Sequence, residues 1–152
     1  MSNTKLARRK EIETFEKALI AAADGDLIEG DGKDIVHSQK FPMKHTFADG
    51  VYIREMFMKK DSAVIGAIHK HLHVWFLLTG HLVIAKEESK EEYLAPCYVL
   101  AEPGSKRVIY AVEDSVFVNI HKNPTNTQDI LELEKNIVAL NREDYEEYLK
   151  NK

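Results

Sequence analysis

The sequence predicts an all-β domain, a barrel or double-sheet jelly roll with α-helices flanking it at the N- and C-terminal ends. Two observations carry that expectation. Between Val51 and His121 the chain runs in short stretches rich in β-branched and aromatic residues, broken at regular intervals by turn chemistry. Before and after that region the apolar residues instead recur at three- and four-residue intervals, the period of an amphipathic helix. The 152 residues suit one domain, long enough to bury about two-thirds of the surface of its unfolded chain.

Taken in order, Ile12, Phe15, Leu19 and Ala22 share one face of a helix expected over about residues 1–24, which Gly25 ends. Asp24 to Lys40 carries glycines and charges with little periodicity and reads as a loop with one short strand around Ile35-Val36. Turn signals at Lys60-Asp61, Thr79-Gly80, Glu87 to Lys90, Pro103-Gly104 and Glu113-Asp114 divide residues 51–121 into strands. Eight are expected, at 51–59, 62–69, 74–79, 81–86, 91–95, 98–101, 107–112 and 115–121. Trp75 to Leu78 is an unbroken apolar run, which predicts a strand buried on both faces. After Pro124, Thr127 is expected to cap a helix with Asp129 in its first turn, and Ile130, Leu133 or Glu134, Ile137 and Leu140 follow at helical spacing. A last helix starts near Asn141 with Tyr145, Tyr148 and Leu149 on its apolar side, so helices account for 127–150.

Charge narrows the function classes. The 21 basic and 25 acidic residues are interleaved, as in Lys86-Glu87-Glu88-Ser89-Lys90, which argues against a nucleic-acid groove or an anionic-membrane surface. No apolar run approaches a membrane span, and the basic N-terminus lacks the apolar core of a signal peptide. Cys97 is the only cysteine, so no intrachain disulfide forms, and a buried inert thiol in a cytoplasmic protein is expected. His37 and His45 read as surface or loop residues, and Arg54-Glu55 as a cross-strand or solvent-facing charge pair.

The chemistry is concentrated at Ile68-His69-Lys70-His71-Leu72-His73-Val74, which holds three of the seven histidines at alternate positions. In an unbroken strand His69, His71 and His73 share a face; if a turn intervenes, His69 and His73 meet across it. Neutral imidazoles in either arrangement suit a divalent transition metal such as zinc, iron, manganese or nickel, with open positions of the catalytic kind. Outward-facing polar residues on a solvated strand are the alternative. Lys70 reads either as a solvated loop lysine or as a holder of a substrate carboxylate or phosphate.

These residues resemble the cupin superfamily, whose first motif runs glycine, His-x-His, three or four residues, glutamate, six residues, glycine. With Gly80 as the closing glycine, His73 falls at the glutamate, His69 at the second histidine and Ala67 at the first. The second motif, P-x-G-x-x-H, has its counterpart in Glu102 to Arg107, one residue shorter, with Arg107 in the histidine's place. Arginine has no lone pair for a metal, so the resemblance implies an altered ligand set in which His121, with His71 as its substitute, supplies the third ligand. Lys44-His45-x-Phe47-Ala48-x-Gly50, Ile68-His69-Lys70-x-x-His73, Pro103-Gly104-x-Lys106-Arg107 and Glu113-Asp114-Ser115 to Ile120-His121 are also similar to small cupin-like proteins encoded by tailed bacteriophages, over about residues 42–135.

The resemblance implies a metal-binding cupin-type barrel that holds or transforms a small anionic metabolite, with Arg107 as the anion clamp. It also leaves a scaffold that contacts phage virion proteins in the host cytoplasm or the particle. A third reading is a metal-free sugar isomerase or epimerase using His69, Lys70 and Tyr110. A homodimer is expected, with the N-terminal helix covering a sheet edge in the same or a neighbouring chain.

Overall fold

The structure, a computed structural model, describes residues 2–22 and 41–152; the expected strand at Ile35-Val36, the helix end at Gly25 and His37 lie outside the described residues. It opens with helix α1 (Asn3–Ala22), followed by strands β1 (Met43–Ala48), β2 (Val51–Met58), β3 (Ala63–Ile65), β4 (Ile68–His69) and β5 (His73–Thr79). Then come β6 (His81–Lys86), β7 (Lys90–Leu94), β8 (Cys97–Ala101), β9 (Arg107–Ala111) and β10 (Ser115–Lys122). Helix α2 (Ile130–Ile137), strand β11 (Val138–Ala139) and helix α3 (Arg142–Lys150) complete the described chain.

The strands form a five-stranded sheet, β1-β2-β10-β5-β8, a four-stranded sheet, β3-β9-β6-β7, and a two-stranded one, β11-β4. Every ladder is antiparallel. From β7 on, consecutive strands change sheet at each step, β7 to β8 to β9 to β10, as in a double-sheet jelly roll. No ladder among the described residues joins them, so the barrel is not closed. Met56, Met58, Trp75, Leu77 and Phe117 of one sheet meet Leu82, Ile84, Ile109 and Ala111 of the other in the main core. Each large side chain removed from water there contributes about 1.5–3 kcal/mol.

Strand β5 alternates between buried positions, Trp75 and Leu77 among them, and the half-buried Val74 and Phe76, with Leu78 50% exposed. It is therefore buried on one face only, contrary to the reading of its apolar run. The expected strand 62–69 is two strands, because Gly66 N donates to Arg107 O (2.8 Å) at the end of the β3 ladder and the chain then crosses to pair with β11. Strands β1 and β11 were outside the eight expected.

Gly80 turns β5 into β6 at φ +95°. A Cβ there would stand 2.7 Å from the Ser115 Cα and overlap the Ser115 hydroxyl and the Asp114 carbonyl. Gly80→Ala is therefore expected to cost about 3 kcal/mol from strain and overlap together, read as a lower urea midpoint with the m-value unchanged.

The ends dock differently from expectation. In α1 Ile12 is buried but Phe15 is 41% exposed, and charged pairs carry much of the docking. Arg9 Nε and Nη2 donate to the two carboxylate oxygens of Glu87 at 3.0 and 2.9 Å, and Lys106 Nζ meets Glu16 at 2.6 Å. Asp129, not Thr127, caps α2, its carboxylate accepting from Leu131 N at 2.9 Å, and Asn141 caps α3 by accepting from Asp144 N at 2.9 Å. Leu133, Ile137 and Val138 pack on Tyr52, whereas Leu140 and Leu149 are exposed. Among the described residues no helix is long and apolar enough to cross a membrane.

Candidate metal centre

Strand alternation aims the site residues inward. On β10, Phe117, Asn119 and His121 share the phase that faces the other sheet, and the register sets His121 opposite Tyr52 of β2. One step beyond the Ile120–Val74 pair, His121 lies alongside His73 at the start of β5. Residues 70–72 bend, so His69 at the end of β4 returns over His73 instead of continuing its strand. The ring centroids are 4.2 Å apart for His69 and His73, 4.8 Å for His73 and His121, and 5.3 Å for His69 and His121.

One nitrogen from each ring lies within 4.8 Å of the other two. A tetrahedral metal at 2.0–2.1 Å from its nitrogens would set them about 3.4 Å apart, a change within reach of small side-chain rotations. The electronic state also fits. Burial, then the charge that His73 would carry, then Arg107, holds His69 well below the usual imidazole range. Burial followed by His73 and Arg54 does the same to His121. Burial lowers His73 from 6.5 to about 4, Arg107 adding to the effect and the His71 carbonyl and Asn119 side chain opposing it. All three are neutral ligands at neutral pH. The Nε2 atoms of His73 and His121 are buried without a hydrogen-bond partner, as lone pairs reserved for a metal would be.

The same shifts predict how the metal-free protein responds to acid. A histidine with a folded pKa below its unfolded one takes up its proton more readily when unfolded. Stability is then full above 6.5 and falls as the pH drops toward about 4. For His73 alone this amounts to a loss on the order of 3 kcal/mol. Urea midpoints between pH 7 and 4 measure it, and His73→Ala should flatten the slope.

Arg107, on β9, is 8% exposed and points at the cluster, Nη2 lying 3.4 Å from His69 Nδ1. Burial lowers its pKa to about 10, with Tyr93 opposing, so the guanidinium remains a cation. It has no carboxylate within salt-bridge distance among the described residues. A buried cation without a counter-ion is costly, and an anionic ligand would offset that cost.

The other expected site residues lie apart. His71 turns to the surface, with Nε2 3.2 Å from Asn136 O. Lys70 Nζ donates to Lys135 O at 2.6 Å. Tyr110 faces outward and donates to Asp61 at 2.6 Å, so it is not brought to His69. Cys97 is free and half-buried.

Sequence reasoning missed the polar wall beside the histidines. Arg54 forms an ion pair with Glu134 of α2 and donates Nε to the Tyr52 hydroxyl at 2.9 Å, and that hydroxyl lies 2.7 Å from His45 Nδ1. Burial pushes the Tyr52 hydroxyl up. Burial works against the Arg54 charge, but Glu134 and Tyr52 outweigh it. Arg54 thus pairs away from Glu55, and His45 belongs to β1 instead of a loop. The signal was present: Tyr52, Arg54, Met56 and Met58 alternate along β2 on the inward phase.

Backbone contacts hold His69 in place. Val138 is its ladder partner, Gly104 N donates to His69 O at 3.0 Å, and Lys70 N donates to Ile137 O at 2.8 Å. Arg142 Nη1 donates to Gly104 O (2.8 Å) while Nη2 reaches Glu87 (2.5 Å), which ties the motif turn to α3.

No protein-family model matches the chain, and its sequence matches no curated protein. Solved structures match its fold. The plu4264 protein of Photorhabdus luminescens is 10% identical with a TM-score of 0.51, over 65% of this chain and 88% of its own. KdgF of Halomonas sp. is 11% identical with a TM-score of 0.50, over 61% and 86% of the two chains. A cupin superfamily protein of Desulfitobacterium hafniense is 13% identical with a TM-score of 0.49, over 55% and 78%. The order of the two sheets and the flanking helices make the fold a double-sheet jelly roll, shared with the plu4264 protein and KdgF.

Proposed function

We propose that this chain holds a divalent transition metal on His69, His73 and His121 and binds a small anionic molecule beside it with Arg107. The observation that carries the reading is the convergence of three neutral imidazoles, two of them, His73 and His121, buried with unpartnered Nε2 atoms. Three protein ligands leave coordination positions open, which suits ligand binding better than a closed structural site. Bound there, a metal supplies Lewis acidity toward an oxygen of the ligand.

The residues themselves link the two binding events. A neutral imidazole has one lone pair. When His69 gives it to a metal, Arg107 loses its acceptor on that ring, whichever nitrogen coordinates. The guanidinium is then released toward an anion, bidentately for a carboxylate or phosphate. Stoichiometric zinc, iron, manganese or nickel in freshly purified protein is the expected result. Calorimetric titration with a small dicarboxylate should show affinity at least about tenfold higher in the metal-loaded form, and Arg107→Gln should remove that difference. Metal-free protein that takes up none of the four ions on reconstitution would reject the reading.

A further inference from the structure

The alternation that turns His73 and His121 inward gives the five-stranded sheet an apolar outer face. Val74 and Phe76 of β5 stand there beside Leu100 and Tyr98 of β8 on one side and beside Ile120 and Val118 of β10 on the other. Ile53, the partner of Ile120, carries the row onto β2. Side chains this close shield one another, and Val118 is only 6% exposed. Toward the β8 edge the layer is open: Leu78 is 50%, Tyr98 70% and Leu100 61% exposed, and the rings of Phe76 and Tyr98 lie 5.4 Å apart.

The outer face of the other sheet differs. There Lys90 and Glu92 of β7 are exposed, His81 pairs with Glu92, and Tyr110 donates to Asp61. On the five-stranded sheet the charges are Lys44 and Glu55, cross-strand neighbours toward the β1 side, and Lys122 at the end of β10. An apolar, aromatic centre with charge at its margin is the composition of a protein interface. The sheet has five strands of five to eight residues. Spaced about 4.8 Å apart and rising about 3.4 Å per residue, such strands give a face of roughly 24 by 23 Å. Two such faces pressed together bury on the order of 1,100 Å² in total, above the roughly 1,000 Å² that a specific interface needs.

We infer that a second copy of this chain covers the face, the two five-stranded sheets packing against each other about a two-fold axis with Leu78, Tyr98 and Leu100 buried in the contact. Across such an axis a patch meets itself. Apolar surface tolerates that without repulsion, whereas a charged patch does not, and the centre of this face offers a foreign partner no charge to recognise. The aromatic pair Phe76 and Tyr98 supplies the kind of side chain on which binding energy concentrates. The contact lies across the sheet from His73 and His121, so it forms with or without a metal.

Sedimentation equilibrium of metal-free protein at about 100 μM is expected to give twice the mass of the chain. The double variant Tyr98→Lys, Leu100→Lys places lysines from both copies in the contact and is expected to weaken dimerisation at least about 100-fold. Both residues are exposed in the single chain, so the variant should keep its fold, checked by circular dichroism. Leu149→Lys, at an exposed leucine of α3, should leave the dimer intact. A wild type that stays monomeric overturns the inference and leaves the face to a different protein. A dimer that survives the double variant also overturns it, and slowed amide exchange along the free edge of β8 would then assign the association to edge pairing.

Discussion

His73→Ala and His121→Ala are each expected to lower metal affinity by at least about 100-fold, more than the loss typical of residues that merely orient a ligand. Each removes one of three converging nitrogens, and alanine leaves nothing to replace it. His71→Ala should leave affinity within about twofold of wild type, because its ring lies against Asn136 O outside the cluster. Calorimetry with cobalt or zinc measures all three, and circular dichroism checks that each variant is folded. Equal affinity for wild type and both cluster variants would remove the site.

The second large effect is on stability. Glu87 is 2% exposed and gathers Arg9 from α1 and Arg142 from α3 onto one carboxylate. Glu87→Ala leaves two half-buried guanidinium groups without their counter-ion, an expected loss of about 3 kcal/mol. For a chain of this length that corresponds to a melting temperature lower by about 10 °C. Glu87→Gln should lose less, since the amide oxygen still accepts a hydrogen bond. Thermal melts of the metal-free protein compare the variants, and a Glu87→Ala melt within 2 °C of wild type would show that the pairs contribute little.

The sequence made the sheet legible wherever the local pattern and the tertiary environment agreed. Thr79-Gly80 and Glu113-Asp114 marked real turns, and residues 81–86 matched β6 to the residue. The approach of His69 to His73 was also readable, because a bend between two histidines four apart has few other outcomes. What escaped depended on distant partners. Met43–Ala48 alternates only between half-buried and exposed and gains its strand from β2. Val138-Ala139 is a strand because β4 needs a partner. Glu87 looked like one charge in a solvated turn, yet contacts from residues 78 positions before and 55 after it bury it. Arg54 and Glu134 are 80 residues apart, and no local window joins them.

The fastening of His69 by Val138, Ile137 and Gly104 affects when the site can come into being during synthesis. A ribosome that has translated as far as Lys122 has already placed all three imidazoles in the polypeptide. The carbonyl and the ladder partner that fix one of them are still untranslated. Capture of an ion by the emerging chain is therefore expected to wait until translation has passed Val138. A fragment stopped after Lys122 would carry every donor atom and hold His69 by Gly104 alone.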